Sequence, residues 1–239
     1  MSIQHNWRLV EQKIAAACER AGRRREDIGV IAVTKYVSVD RTKEAFDNGL
    51  IHLGENRWQD AQSKWHALSG DEGLEEAGKP IWHFIGSLQT NKVKDVIGRF
   101  TYIHSLDRLS LAEAIHKRAS QLGIVVPCFI QTNVSGESSK HGMEPEDVVP
   151  FLASISGLSS IQPIGLMTMA PYEAEPEDTR GVFRALRELR DQVRQTSPHA
   201  ERLEHLSMGM SNDFEVAIEE GATWIRLGSI LVGKEEDGQ

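Results

Sequence analysis

The feature that most constrains this chain is a repeat of pattern. A short apolar segment is followed by a helical one, and the pair recurs eight times over about 200 residues. The strand candidates are residues 28–35, 50–54, 81–86, 100–105, 124–133, 161–169, 202–208 and 223–229. Each is too short and too rich in branched residues to read as a helix. The segments between them carry the three-and-four spacing of amphipathic helices. In 58–68, Trp58, Ala61, Trp65 and Leu68 form one stripe, and in the fifth helix Leu109, Ala112 and Ile115 share a face. Eight βα units predict a (β/α)8 barrel of the TIM type. An open doubly wound sheet is the alternative, and it would normally need fewer strands. A further helix precedes the first strand. It begins near Trp7, puts Val10, Ile14, Ala17 and Cys18 on one side, and stops at Gly22. We read residues 1–239 as one domain, with 69–80 as a polar, glycine-rich and mobile loop.

Composition excludes several classes. The net charge is −8 and no basic tract is present, so the chain lacks the clustered cations that a nucleic-acid binder needs. No apolar run approaches the roughly 18 residues that span a bilayer, and the N-terminus has no signal-peptide core. Cys18 and Cys128 are the two cysteines. Neither lies in a metal-ligating or redox spacing, so two buried thiols in a reducing cytoplasm are expected, with no metal site.

Chemistry in this fold gathers at the C-terminal ends of the strands. The first strand, VIAVTK, ends on Lys35. Strand alternation would place Lys35 on the side of Ile31 and Val33, with Tyr36 pointing the other way. An amine at a barrel mouth is partly desolvated, which favours its nucleophilic form, and such lysines condense with carbonyls. The alternative is a lysine that snorkels to water. The seventh and eighth strands end in SMGMS and RLGS. Ser207, Gly209 and Ser211, then Gly228 and Ser229, are small residues that let backbone N–H groups approach an anion, and the helix after the first turn opens on an Asn212–Glu215 capping box. The alternative is a pair of ordinary tight turns. A lysine across from a phosphate cradle points to a phosphorylated aldehyde, of which pyridoxal phosphate is the commonest that proteins hold covalently. Arg226, just before the last turn, is a permanent donor suited to the ring nitrogen of such a cofactor, which it would keep unprotonated.

Six stretches together, VIAVTKYVSVD, LGENRWQDAQSK, WHFIGSLQTNKV, IQTNVSGESSKHG, GLMTMAP and LSMGMSNDFEVAIEEGATWIRLGSILVG, resemble the pyridoxal phosphate homeostasis protein family. That family is a single-barrel relative of the alanine racemase N-terminal domain. The likeness runs from about residue 5 to 233. It implies a monomeric or weakly associating TIM barrel that holds pyridoxal phosphate as an internal aldimine on Lys35. It places phosphate contacts on Ser207, Gly209, Gly228 and Ser229, Asn56 in the GEN motif, Met167 near the ring, and Arg226 on the ring nitrogen. His83, Gln89, Asn91 and Lys92 belong to a matching motif whose chemistry the sequence does not assign. The implied role is buffering and delivery of the cofactor, with no catalytic residue, and apo-enzymes that need the cofactor as partners.

Two other functions were weighed. A pyridoxal phosphate racemase or decarboxylase would need further groups. In the racemase relatives a second base, a tyrosine, comes from an extra domain of a partner subunit, and the chain ends at Gln239 just after the barrel. Of the tyrosines Tyr36, Tyr102 and Tyr172, only Tyr172, in the loop after the sixth strand, has a position from which it could reach the mouth, and it is not expected to serve as that base. A Schiff-base aldolase would need an acid–base partner for Lys35, and Glu55 is the only strand-end carboxylate that offers itself.

Overall fold

The computed structural model describes residues 2–70, 78–136, 142–171 and 173–233. Eight strands run parallel and close into a barrel in sequence order, with β1 hydrogen-bonded to both β2 and β8. They are β1 (Gly29–Val33), β2 (His52–Glu55), β3 (Ile81–Phe84), β4 (Tyr102–Leu106), β5 (Val126–Gln131), β6 (Ile161–Met167), β7 (His205–Ser207) and β8 (Trp224–Leu227). The predicted TIM barrel is therefore the observed fold, with strand ends trimmed by one to three residues in most cases.

Helices α1 (Ile3–Arg20), α2 (Val39–Asp47), α3 (Trp58–Ser69), α4 (Val93–Val96), α5 (Leu109–Leu122), α6 (Val148–Ile155), α7 (Arg180–Thr196), α8 (Phe214–Glu219) and α9 (Ser229–Val232) alternate with the strands. The extra N-terminal helix α1 buries Val10, Ile14, Ala17 and Cys18, as its spacing predicts. It is tied to α8 and α9 by Asn6 Nδ2 donating to the Leu231 carbonyl (3.1 Å) and by Arg20 pairing with Glu215 and Glu219. Both cysteines are free and buried. Two helical expectations need correction. Leu109 is 43% exposed, and Leu111 takes its place in the buried face of α5 with Ala112 and Ile115. The N-cap position of α8 falls on Asp213, not Asn212: α8 starts at Phe214, and the Asp213 carboxylate makes no capping bond to the helix but accepts the Met210 N–H of the preceding turn at 2.6 Å.

Alternation divides each strand between two environments. Val30, Ala32, Leu53, Trp82, Ile103, Ile130, Leu206 and Leu227 face the helices and form one continuous apolar layer. The other residues turn inward, and there the barrel departs from the usual filling of branched aliphatics. His52, His83, Tyr102, His104, Phe129, Ser207, Trp224 and Arg226 project to the axis. A register shift in β4 leaves two residues, His104 and Ser105, between outward-facing Ile103 and Leu106. At the N-terminal end Gly29 makes room for the Trp224 ring, since a Cβ there would lie 2.4 Å from it. No helix among the described residues is long and apolar enough to cross a membrane.

Candidate functional site: a cation-lined cavity at the barrel mouth

A cavity of about 620 Å³ opens at the C-terminal end of the barrel. That volume is typical of a small-molecule or cofactor pocket. Its wall includes Val33, Lys35, Tyr36, Asn56, Met169, Met210, Ser211, Asn212, Asp213, Arg226, Gly228 and Ser229.

Lys35 reaches the cavity by a turn. β1 stops at Val33, and Val37 N–H closes a turn onto the Thr34 carbonyl at 3.1 Å. The period of two ends where the ladder ends, so Tyr36 does not point away as alternation had suggested. It lines the same cavity, 77% exposed, and the Lys35 Nζ lies over its ring, 4.7 Å from the centroid. Among the described residues Lys35 has no ion pair or hydrogen bond. The turn is braced from behind. Thr34 Oγ1 donates to Glu55 Oε1 at 2.7 Å, and Lys64 Nζ donates to the Thr34 carbonyl (2.5 Å) and to Glu55 Oε1 (2.9 Å). These three residues are buried between the barrel and α3. Burial pushes the Glu55 carboxyl above its ordinary value, against the pull of Lys64 and Thr34. Glu55 therefore faces Lys64 and does not line the cavity, which removes the one carboxylate considered as a partner for Lys35.

On the far wall, Arg226 is 5% exposed. Its Nη1 donates to Ser207 Oγ at 2.7 Å and its Nη2 to the Thr168 carbonyl at 2.9 Å. Desolvation pulls the guanidinium down to about 10, partly opposed by the charge of Asp213, so it remains a cation at neutral pH. Two of its five N–H donors are used within the protein, and the group borders the cavity. Between Arg226 and Lys35 the two last turns meet, where Gly228 N–H donates to Ser211 Oγ at 3.2 Å. The N–H groups of Ser211, Asn212 and Ser229 have no acceptor among the described residues. Unpaired backbone donors on adjoining turns, backed by a buried cation, make an anion cradle. Asn56 adds a buried Oδ1 that has no partner among the described residues.

The structure thus brings Lys35, Asn56, Arg226, Gly228 and Ser229 together, and it moves three expected contacts elsewhere. Ser207 is fully buried below the cavity because β7 runs through it, paired with Met167 on one side and Trp224 on the other. Gly209 shapes the turn with φ +92°, and a Cβ there would lie 2.5 Å from Ala217 Cβ, so its glycine serves the packing of α8. Met167 packs with Phe129 and Ile164 inside the barrel, and Met169 lines the cavity instead. The unpaired donors on the seventh turn are Ser211, which the same motif offers, and Asn212, three residues past Gly209. Tyr172 lies outside the described residues.

The unassigned motif also separates. Gln89 and Lys92 line a second cavity of about 610 Å³ that shares Asn56, Gly86 and Ser87 with the first, and Asn91 is not in its wall. His83 belongs to the axis. His52 Nδ1 meets His83 Nε2 at 3.0 Å, His83 Nδ1 meets His104 Nε2 at 2.9 Å, and His104 Nδ1 meets Ser207 Oγ at 2.9 Å. Burial holds His83 and His104 well below the ordinary imidazole value, helped by their charged or titrating neighbours. Sequence reading missed this column. Inward alternation on three separate strands was the one available signal.

Comparisons with known proteins place the chain in a family. Residues 2–236 match the model of the alanine racemase N-terminal domain. The chain is 47% identical over 225 residues to the pyridoxal phosphate homeostasis protein of Aquifex aeolicus, covering 94% of this chain and 95% of that protein. It is 36% identical to the protein of the same name from Pseudomonas aeruginosa, covering 99% and 97%. It belongs to the pyridoxal phosphate homeostasis protein family. Among solved structures, PipY of Synechococcus elongatus PCC7942 with PLP bound is 34% identical, with a TM-score of 0.79, covering 92% of this chain and 100% of that one. An alanine racemase from Clostridium difficile, 16% identical with a TM-score of 0.68, shares the fold over 56% of its own length.

Proposed function

We propose that the chain binds pyridoxal phosphate in the mouth cavity and serves to hold and hand on the cofactor. The observation that carries this reading is the pairing, across one cavity, of an amine and a guanidinium that lack carboxylate partners among the described residues, with unpaired backbone N–H groups between them. When bound, the cofactor supplies an aldehyde that condenses with an amine and loses one water. Lys35 is the amine placed for that bond. Ser211, Asn212 and Ser229 offer the phosphate their unpaired N–H groups, Gly228 holds the turn between them through its bond to Ser211 Oγ, Asn56 lies alongside, and Arg226 presents N–H donors toward the ring nitrogen. The family relatives named as homeostasis proteins, and PipY with its bound PLP, support the reading.

The chain's own residues favour storage over turnover. Arg226 donates and cannot accept, so it would keep the ring nitrogen unprotonated and weaken the ring as an electron sink. Racemisation needs a base on each face of the cofactor. Tyr36 touches Lys35 itself, so it stands on the lysine's side. The open mouth admits water and incoming amines, which suits reversible release. The recipients would be apo-enzymes that require the cofactor, served by a monomer of one barrel domain.

Replacement of Lys35 by Ala tests the reading. The wild-type protein loaded with pyridoxal phosphate should show a visible band that borohydride fixes to protein, and Lys35→Ala should lose it. Loaded wild type mixed with an apo-enzyme should restore the acceptor's activity, while amino-acid α-protons should exchange negligibly in deuterium oxide. An undiminished, fixable band in Lys35→Ala would move the attachment to another lysine. Many-turnover α-proton exchange without transfer would make the protein an enzyme.

A further inference from the structure

Below Arg226 a chain of polar side chains runs down the barrel axis among aromatic rings, which is costly unless every group is paired. The pairing has a direction. Arg226 Nη1 can only donate to Ser207 Oγ. Ser207 has one hydrogen to give, and among the described residues its one other side-chain neighbour is His104 Nδ1. If Ser207 donates to that nitrogen, His104 carries its proton on Nε2 and passes a hydrogen bond to His83 Nδ1. His83 then carries its proton on Nε2 and donates to His52 Nδ1. Every contact in the column has one donor and one acceptor. The reverse order would make Ser207 Oγ accept twice and leave its hydrogen without a partner in a fully buried position. Aromatic faces fix the ring planes: His104 stacks on Phe129 (4.3 Å between centroids) and His83 on Tyr102 (4.6 Å), with Trp224 against His52 at 4.8 Å.

We propose that His104, held by His83 and His52, is a positioning residue for Arg226. The neutral column, each ring protonated on Nε2, takes up the Ser207 hydrogen and so keeps the Ser207 lone pairs turned to the guanidinium. Arg226 is thereby aimed at the cavity by groups that carry no charge, and its own charge stays available to a ligand. A carboxylate at Ser207 would hold the arginine as well but would cancel that charge. The effect on cofactor binding rests on the function proposed above, whereas the tautomer pattern does not.

Two measurements test it. Nitrogen-15 correlation spectra of histidine-labelled, cofactor-free protein at neutral pH should show His52, His83 and His104 neutral and protonated on Nε2. A proton on His104 Nδ1 would overturn the directed column. Pyridoxal phosphate titrations, with thermal unfolding as the folding control, should show Ser207→Ala and His104→Leu about tenfold weaker than wild type, and Ser207→Thr within about twofold of it. In an Arg226→Lys background, His104→Leu should add nothing further. Fully additive losses, or a His104→Leu protein that binds as wild type does, would overturn the positioning role. Should His104→Leu not fold, the Ser207→Ala and Ser207→Thr pair carries the same comparison. A wild-type protein that does not bind pyridoxal phosphate at all would instead remove the proposed function and leave the spectra to decide the column.

Discussion

Lys64 and Arg226 are both buried cations, the first wedged between the barrel and α3, the second on the barrel axis. Lys64 has a carboxylate at 2.9 Å and a carbonyl at 2.5 Å. Arg226 has a hydroxyl and a carbonyl, with Asp213 as its opposite charge and no carboxylate within ion-pair distance among the described residues. A closed pair spends its field inside the protein. An open one leaves it for whatever enters next. The difference separates a charge that holds a turn in place from a charge that waits for a ligand.

The largest effect expected from breaking this contrast is at Lys64. Lys64→Ala strands the Glu55 carboxylate in a buried site and should cost about 3–5 kcal/mol of stability, read from urea unfolding. Replacing both partners, Lys64→Met with Glu55→Leu, should cost clearly less than the single change. Equal losses would mean that the pair is not what makes the site expensive to break.

The second effect is acid lability of the axis. His83 and His104 have folded values depressed far below the ordinary imidazole value of about 6.5. Below that value the unfolded chain takes up protons that the folded chain refuses. Stability is therefore full above the ordinary value and is lost as pH falls beneath it. Between pH 7 and 5.5 the two rings together should cost about 2–3 kcal/mol. Glu55 works the other way, because its raised folded value lets the folded state bind a proton first. Unfolding curves at the two pH values, in wild type and in Glu55→Gln, separate the contributions. A stability that is flat with pH in both proteins would mean that the rings charge within the fold.

The smallest effect is at Arg226 itself. Without ligand, Arg226→Leu removes a cation that has no carboxylate to strand, and stability should change by about 1 kcal/mol or less. Pyridoxal phosphate binding should fall by far more than stability does. A large loss of stability in the cofactor-free protein would place Arg226 with Lys64 and erase the distinction.

The fold was legible because each of the eight strands is buried on both faces and each helix carries a stripe, so the alternation of the two patterns is unbroken. The mouth was legible in part. Lys35, Asn56, Gly228 and Ser229 follow strand ends and Arg226 lies one residue inside one, and position along the chain is enough to find them. Ser207 and Gly209 were misplaced because small residues at a strand end look alike whether the ladder has stopped or not, and β7 runs on through Ser207. Tyr36 was misdirected for the converse reason: its strand had already ended at Val33, and a turn obeys no period of two. The histidine column was not legible. His52, His83 and His104 sit about 20 to 30 residues apart on successive strands, and only closure of the barrel stacks them.

The Trp224 ring, seated where Gly29 leaves space, gives the barrel a floor. A vessel with one opening cannot be loaded from one end while it empties from the other. On the function proposed above, a second cofactor molecule would wait for its predecessor to leave by the mouth, so the pace of handover would be set by departure, and raising the concentration of a recipient that does not touch the mouth would not hasten it.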